Sequence, residues 1–457
     1  MYSRSRLTGV LAGLFVCFIA LQTASAQATP PVTTAPLALT MGDAAARARD
    51  LSLPVLGSVV RARQVEARVN LRRADLLPTL SGIAEANSRT FNTATLGIDF
   101  PTPPGQQPFF DPNGEVLGPI PTSDVRARVQ QNIYDGAVLA RLRLARQQGT
   151  AARSESAQTG AAAATSAAVA YVRVLRAEAV FEARAADSTL ASELLRIARE
   201  TLHAGTGVAL DVTRAESQLV GIRSQLIAAR VERDKARLDL RRTINVDLNQ
   251  PIRLTDPLDA GDLAIPDEAT ALSTAERLRP ELVVVNEQLK SARLSSQAIH
   301  AERLPTLSAV ADNGFIGKNI GQNMLNTWTW ALRVNVPVFE GGRRQARESE
   351  QSLVEDELMT RRNDLLAQVS VDVRSALLDA ASTREAVAAA QERLRLAEQE
   401  VAQARDRFTA GVSGNLDVTS ALLGLSSART QLVDALANRQ LARISIARSQ
   451  GSISSLR

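Results

Sequence analysis

The stretch Ala198-Arg199-Glu200-Thr201-Leu202-His203-Ala204-Gly205-Thr206-Gly207-Val208-Ala209-Leu210-Asp211-Val212-Thr213-Arg214-Ala215 returns 206 residues later. There it reads Ala404-Arg405-Asp406-Arg407-Phe408-Thr409-Ala410-Gly411-Val412-Ser413-Gly414-Asn415-Leu416-Asp417-Val418-Thr419-Ser420-Ala421. Nine of the eighteen aligned positions are identical. Two further matches keep the same order. Ala74-Asp75-Leu76-Leu77-Pro78-Thr79-Leu80-Ser81 pairs with Ala301-Glu302-Arg303-Leu304-Pro305-Thr306-Leu307-Ser308, and Arg128-Val129 before Tyr134-Asp135-Gly136 pairs with Arg333-Val334 before Phe339-Glu340-Gly341. The chain is therefore a two-fold internal repeat, and its function is built from two similar halves.

Outward from these matches, each half reads in the same order. A helix broken at Pro54, from about residue 40 to 77, has its counterpart from about 266 to 304 with a break at Pro280. After Pro78 and Pro305 the apolar period changes from helical to two. From Thr327 to Phe339, Trp328, Trp330, Leu332, Val334, Val336 and Val338 share one face, and Thr327, Thr329, Ala331, Arg333 and Asn335 the other. In the first half Val125, Ala127, Val129 and Ile133 alternate with Arg126, Arg128, Gln130 and Asn132. The preceding strands, about 80–91 and 307–317, place Glu85 and Asp312 at equivalent positions. Each half thus carries one hairpin, the first with a longer Pro- and Gly-rich loop from about Asn92 to Pro121.

Two stretches then run without proline, 136–203 and 341–409. As helices they are about 100 Å long at about 1.5 Å per residue. That length demands a coiled-coil or tubular setting. Return helices are expected over 211–244 and 417–449, the second with a 3-4-3 seam of Leu425, Ala428, Leu432 and Ala435. Residues 1–26 read as an export signal: Arg4 and Arg6, an apolar Leu7–Leu21, and an Ala24-Ser25-Ala26 cleavage site, rather than a transmembrane anchor. The remaining divisions are an extended leader at 27–38, a first repeat at 39–250, a linker at 251–266 and a second repeat at 267–457.

Composition narrows the function classes. Cys17 is the only cysteine and lies in the signal segment, so no disulfide framework is expected. Aromatics are 3%, while Ala, Leu, Arg and Glu abound, as in closely packed long helices. The net charge of +5 arises from interspersed Arg and Glu, as in Glu392-Arg393-Leu394-Arg395-Leu396-Ala397-Glu398, and reads as a solvated helix face rather than a nucleic-acid site. His203 and His300 are far apart in sequence, and no HExxH, GxSxG, Walker loop or GxGxxG follows a strand. No catalytic, cofactor or metal residue is expected, and the chain reads as no enzyme. After the signal segment no run of eighteen apolar residues offers a spanning helix.

The hairpin strands, about 11–13 residues each, are long enough to cross a bilayer core when tilted. One apolar face with two Trp near its end suits lipid, and the polar face suits water. Four strands cannot close alone, and an open edge in hydrocarbon leaves backbone groups unpaired. The chain must oligomerise; two copies supply eight strands and three supply twelve.

In these features the sequence resembles the outer-membrane efflux protein (TolC) family. The resemblance rests on the doubled A-x-x-L-P-x-L at Ala74–Leu80 and Ala301–Leu307, Val338-Phe339-Glu340-Gly341-Gly342, and Ala-Gly-x5-Leu-Asp-Val around Gly205 and Gly411. It implies a mainly α fold with membrane β: a homotrimeric channel-tunnel with four strands per chain in a 12-stranded outer-membrane β-barrel and long helices forming a periplasmic α-barrel. It further implies a periplasmic adaptor (membrane fusion protein), an inner-membrane RND, ABC or MFS pump, and outer-membrane lipid as partners. The turns at Gly205 and Gly411 then fall at the periplasmic tip. Asp211 and Asp417 begin the return helices as N-caps and, by resemblance, line a cation-favouring aperture. Ser420 stands where some relatives have a second acid, and Phe408 and Ser413 where some have polar or basic linking residues. On the same reading Glu85, Arg128, Asp312 and Arg333 face the lumen, and Trp328, Trp330, Leu332, Val334 and Val336 face lipid. The alternative is a periplasmic coiled-coil adaptor or scaffold whose hairpins are small soluble sheets.

Overall fold

The computed structural model describes residues 35–96, 103, 105–106, 114–259, 263–321, 323–410 and 412–453. The signal segment, most of the leader and Gly411 lie outside the described residues. A short strand β1 (Leu37–Leu39) precedes the first repeat: α1 (Met41–Leu51), α2 (Leu53–Ala74), β2 (Thr79–Asn92), β3 (Val116–Tyr134), α3 (Gly136–His203) and α4 (Ala209–Thr243). Strand β4 (Ile252–Leu254) leads to the second: α5 (Glu268–Leu278), α6 (Pro280–Ala301), β5 (Thr306–Gly317), β6 (Leu325–Asn335), α7 (Arg343–Thr409) and α8 (Asn415–Ser449).

Local chemistry sets these boundaries. Thr40 and Asp43 form a capping box at α1, with the Asp43 amide donating to Thr40 Oγ1 at 3.0 Å and the Thr40 amide to Asp43 Oδ2 at 3.1 Å. Pro54 and Pro280 occupy first-turn positions of α2 and α6, where a missing N–H costs nothing. The Asp135 carboxylate caps α3, accepting from the amides of Ala137 at 2.9 Å and Val138 at 3.1 Å. Before α7 the chain instead turns on Gly341 and Gly342, at φ of +61° and +78°. Only glycine takes two such residues in succession without steric cost.

Several expected boundaries move. The leader and linker are not bare loops, because β1 pairs in parallel with β4, Leu37 opposite Ile252 and Leu39 opposite Leu254. β3 begins at Val116, inside the expected loop, and pairs with the end of β2, Asn92 opposite Val116. The strand expected over Thr327–Phe339 is Leu325–Asn335. α4 and α8 start two residues before Asp211 and Asp417, after Val208 and Gly414 in extended conformation.

α3, of 68 residues, is the spine. It packs against α1, α2 and α6 above, α4 below, and α8 of the other half; α7 packs against α5, α6 and α8. Ala at the contacts lets the axes come close. Ala44, Ala48, Ala164, Ala167 and Ala168 are fully buried around Tyr171 at the level of β1 and β4. Towards the far end a second core gathers Leu194, Leu219, Phe408, Leu422 and Leu425. Of the expected α8 seam, Leu425 and Ala428 are buried, and Leu432 and Ala435 half-buried. Between the cores Asp187 is fully buried and accepts from Arg184 at 3.1 Å and from Arg429 of α8 at 2.6 Å. A buried carboxylate is tolerated there because two guanidiniums replace its water.

Tyr171 joins helix to sheet. Its hydroxyl donates to the Leu39 carbonyl at 2.9 Å and accepts from the Asp256 amide at 3.2 Å. Burial pushes the phenol up to about 12, against the opposing bond from Asp256. In the unfolded chain the group titrates near 10. The stabilisation from a neutral Tyr171 is therefore complete below about pH 10 and lost as pH rises through about 12. Thermal melts of wild type and Tyr171→Phe are expected to differ by a constant amount below pH 9. The gap should narrow from pH 10 upward.

Candidate functional site

Two regions bring together the residues singled out in the sequence: the four-stranded sheet at one end and the two helical turns at the other.

The sheet has the order β2-β3-β5-β6, antiparallel throughout. Its registers assign every side chain to a face, since residues directly opposite share one. Trp328, Trp330, Leu332 and Val334 lie on the face that holds Val125, Ala127, Val129, Leu307, Ala309, Ala311 and Phe315. Both Trp side chains are 66% exposed, as is much of this apolar face. A soluble sheet does not leave such a patch bare without a partner. Glu85, Arg128, Asp312 and Arg333 all share the opposite face.

Val336 lies one residue beyond the end of β6. β6 ends at Asn335, opposite Thr306.

On the polar face Asp312 is buried under two guanidiniums. Arg126 donates to its Oδ1 at 3.1 Å, and Arg128 to its Oδ2 at 3.2 Å; Arg126 also bonds Asp124. Asp124 and Arg126 are additions to the expected set. Their signal was the alternation Asp124-Val125-Arg126-Ala127-Arg128, three charges on one face. Glu85 takes only the Asn87 amide, at 2.9 Å, and Arg333, opposite Ser308, has no polar partner among the described residues.

At the other end, Gly205 has φ of +77° and closes α3; the amides of Thr206 and Gly207 bond the Thr201 carbonyl at 3.0 and 2.9 Å. The second turn copies this with the Val412 amide on the Arg407 carbonyl at 3.0 Å. Asp211 and Asp417 are not N-caps. Each is the third residue of its helix, where it still meets the positive end of the dipole. Asp417 is exposed; Asp211 is half-buried, 3.9 Å from Arg214. Phe408 is buried, and Ser413 is half-buried. Asn415, 2% exposed, donates from Nδ2 to the Asp211 carbonyl at 2.9 Å and ties the two turns together. Sequence reasoning passed over Asn415. The repeat offered one clue, because Ala209 occupies the matching place in the first half. Among the described residues no group of three His, Cys, Asp or Glu is placed to hold a metal.

Comparison with known proteins decides the class. The chain matches the family described as outer membrane efflux protein over residues 44–246 and 271–452. The chain belongs to the outer membrane efflux protein family. The toluene efflux pump outer membrane protein TtgC of Pseudomonas putida is 26% identical over 326 residues, 68% of this chain and 66% of the relative. The proteases secretion protein PrtF of Dickeya chrysanthemi is 28% identical over 261 residues, 53% of this chain and 54% of the relative. The chain thus aligns with about two thirds of the first and half of the second. Among solved structures, the Campylobacter jejuni CmeC outer membrane channel shares the fold with a TM-score of 0.73 at 16% identity, covering 90% of this chain and 85% of that one. The open-state MtrE outer membrane channel of Neisseria gonorrhoeae aligns with a TM-score of 0.69 at 19% identity, covering 90% and 88%. Membership places this chain in the outer membrane.

The tie between the turns gives a direct check. Asn415→Ala removes one bond to a partly buried carbonyl, about 1 kcal/mol. Hydrogen exchange of the Val418 and Thr419 amides should speed roughly fivefold, the factor that about 1 kcal/mol corresponds to. Asp417→Asn, which removes no hydrogen bond among the described residues, should speed it less.

Proposed function

We propose that this chain forms a homotrimeric channel-tunnel through the outer membrane and periplasm. It conducts substrates delivered by an inner-membrane pump and a periplasmic adaptor. The observation that carries this reading is the sheet: one face apolar, the other charged, and both edge strands, β2 and β6, without an outer partner among the described residues. Trp328, Trp330, Leu332 and Val334 face lipid; Glu85, Arg128, Asp312 and Arg333 face the lumen. Three copies give twelve strands and a lumen, whereas eight strands leave an interior filled by side chains.

The helices support the same closure. α4 carries exposed Val220, Ile227, Val231 and Leu238 at spacings of seven, four and seven. α7, on the other flank, carries exposed Val371, Leu378 and Leu396. These are heptad stripes left uncovered by the described residues. On this reading α4 of one copy meets α7 of the next. Residues 39–250 and 267–457 are then two quasi-equivalent halves of one stave, joined by 251–266 and preceded by an export signal at 1–26 and a leader at 27–38.

The turns at Gly205 and Gly411 form the periplasmic tip, where Asp211 and Asp417 border the aperture. TtgC is named for a toluene efflux pump and PrtF for protease secretion. The pump behind this chain is accordingly of the RND, ABC or MFS class. No cofactor and no nucleic acid take part.

In planar bilayers the purified protein should open discrete, cation-preferring conductances; protein that extracts from outer membranes with salt and never conducts contradicts the reading. Leu332→Arg puts a charge against lipid at a cost of about 2–4 kcal/mol near the midplane and should block insertion. Val310→Arg, on the opposite face beside Ala331, should insert normally; equal failure of both would refute the two faces. Asp417→Asn should lower cation preference with the assembly intact, since Asp417 makes no capping bond and loses only a dipole interaction of about 0.3–1 kcal/mol. Asp211→Asn should act more weakly, because Arg214 already offsets its charge.

A further inference from the structure

The two hairpins have the same register. Ser81 faces Arg128 as Ser308 faces Arg333, and Glu85 faces Asp124 as Asp312 faces Thr329. The repeat relates β2 to β5 by 227 residues and β3 to β6 by 205 residues, so Glu85 corresponds to Asp312 and Arg128 to Arg333. Within the chain the two hairpins join at β3 and β5. There Arg128 lies directly opposite Asp312, and the pair closes an ion pair at 3.2 Å. The equivalents of those two residues sit on the outermost strands, β6 and β2. Arg333 has no polar partner among the described residues, and Glu85 has no cationic one.

We propose that Arg333 on β6 of one copy pairs with Glu85 on β2 of the next, in the register that Arg128 and Asp312 show inside the chain. The inference rests on the closed-barrel reading above and adds to it the register of the seam between copies. The barrel would then carry an Arg–carboxylate pair at every hairpin junction on its inner face, three within chains and three between them. Side-chain volume agrees with this register. Inside the chain Arg126 lies over Gly314, where any Cβ would collide with Arg126. At the matching place between copies Asn87 meets Ala331, so a large residue again faces a small one. On the other face, Val334 and Leu332 meet Ala84 and Ala86 of the neighbour, an apolar continuation of the outer wall. Charge opposite charge also sets the register, because a slip of two residues leaves both ions unpaired.

Cysteine cross-linking of the full-length protein in outer membranes tests the register. A directly opposed pair lies within the Cα separation of a disulfide, about 4.4–6.8 Å. A pair displaced by two residues along the strand, about 7 Å, is disfavoured. With copper phenanthroline and air as the oxidant, Glu85→Cys/Arg333→Cys should give covalent trimers on non-reducing denaturing gels. Ile83→Cys/Arg333→Cys, Asn87→Cys/Arg333→Cys and the single variants should not. A disulfide at a displaced pair, with none at the 85/333 pair, overturns the register while the trimer stands. No disulfide at any pair, in protein that native mass spectrometry finds trimeric, overturns the β2–β6 seam alone. A monomer in that measurement removes the closed barrel itself and the seam with it. Glu85→Arg and Arg333→Glu should each lower the yield of heat-resistant trimer, and the double variant should restore it. A double variant no better than either single one overturns the ion pair.

Discussion

In hydrocarbon an unpaired peptide N–H or C=O costs several kcal/mol, with no water to take its place. A four-stranded sheet with two open edges cannot rest in a membrane under that constraint. On the proposed reading the Trp-bearing face of β6 and the apolar residues of β3 and β5 meet that medium. On that reading the resolution lies outside the chain, with other copies covering the edges. The exposed heptad stripes of α4 and α7 repeat the demand in water, where the penalty is unburied apolar surface rather than unpaired backbone.

The internal repeat makes closure geometrically simple. Two hairpins of one register, side by side, already contain one junction of the kind a ring needs. The same economy governs the helices, since α3 of one half packs against α8 of the other, leaving α4 and α7 as the flanks. Asp187, held by Arg184 and Arg429, ties α3 to α8 between two cores of alanine, leucine and valine. Shifting the stagger would part the buried carboxylate from Arg429 and leave its charge short of a partner, so this contact penalises a shifted stagger of the two halves.

Much of this was legible in the sequence, and the reasons differ from place to place. The strand faces were readable because a period of two is a direct consequence of the pleat; Trp328, Trp330, Leu332 and Val334 needed only counting. Alternation along one strand does not mark where the ladder stops, so the end of β6 at Asn335, one residue before Val336, was not readable. Asp211 and Asp417 looked like caps, yet Val208 and Gly414 already hold the extended conformation that ends the turn, and the helices start there. The pairing of β1 with β4 joins two three-residue strands 215 residues apart, too short for any periodic signal. Asn415 and Asp187 act through partners brought near only by the folded helices. The site was therefore readable where it follows from one strand or one turn, and hidden where it depends on contact between the halves.

The central claim is that the chain is one stave of a closed threefold tube. Cryo-electron microscopy of the full-length protein in lipid nanodiscs examines it most directly. The account predicts threefold particles with a twelve-stranded barrel inside the lipid disc. β2 of each copy should lie beside β6 of its neighbour, and α4 beside α7. Particles that hold a single chain, or whose sheet lies outside the lipid with its edges covered by the same chain, would contradict it.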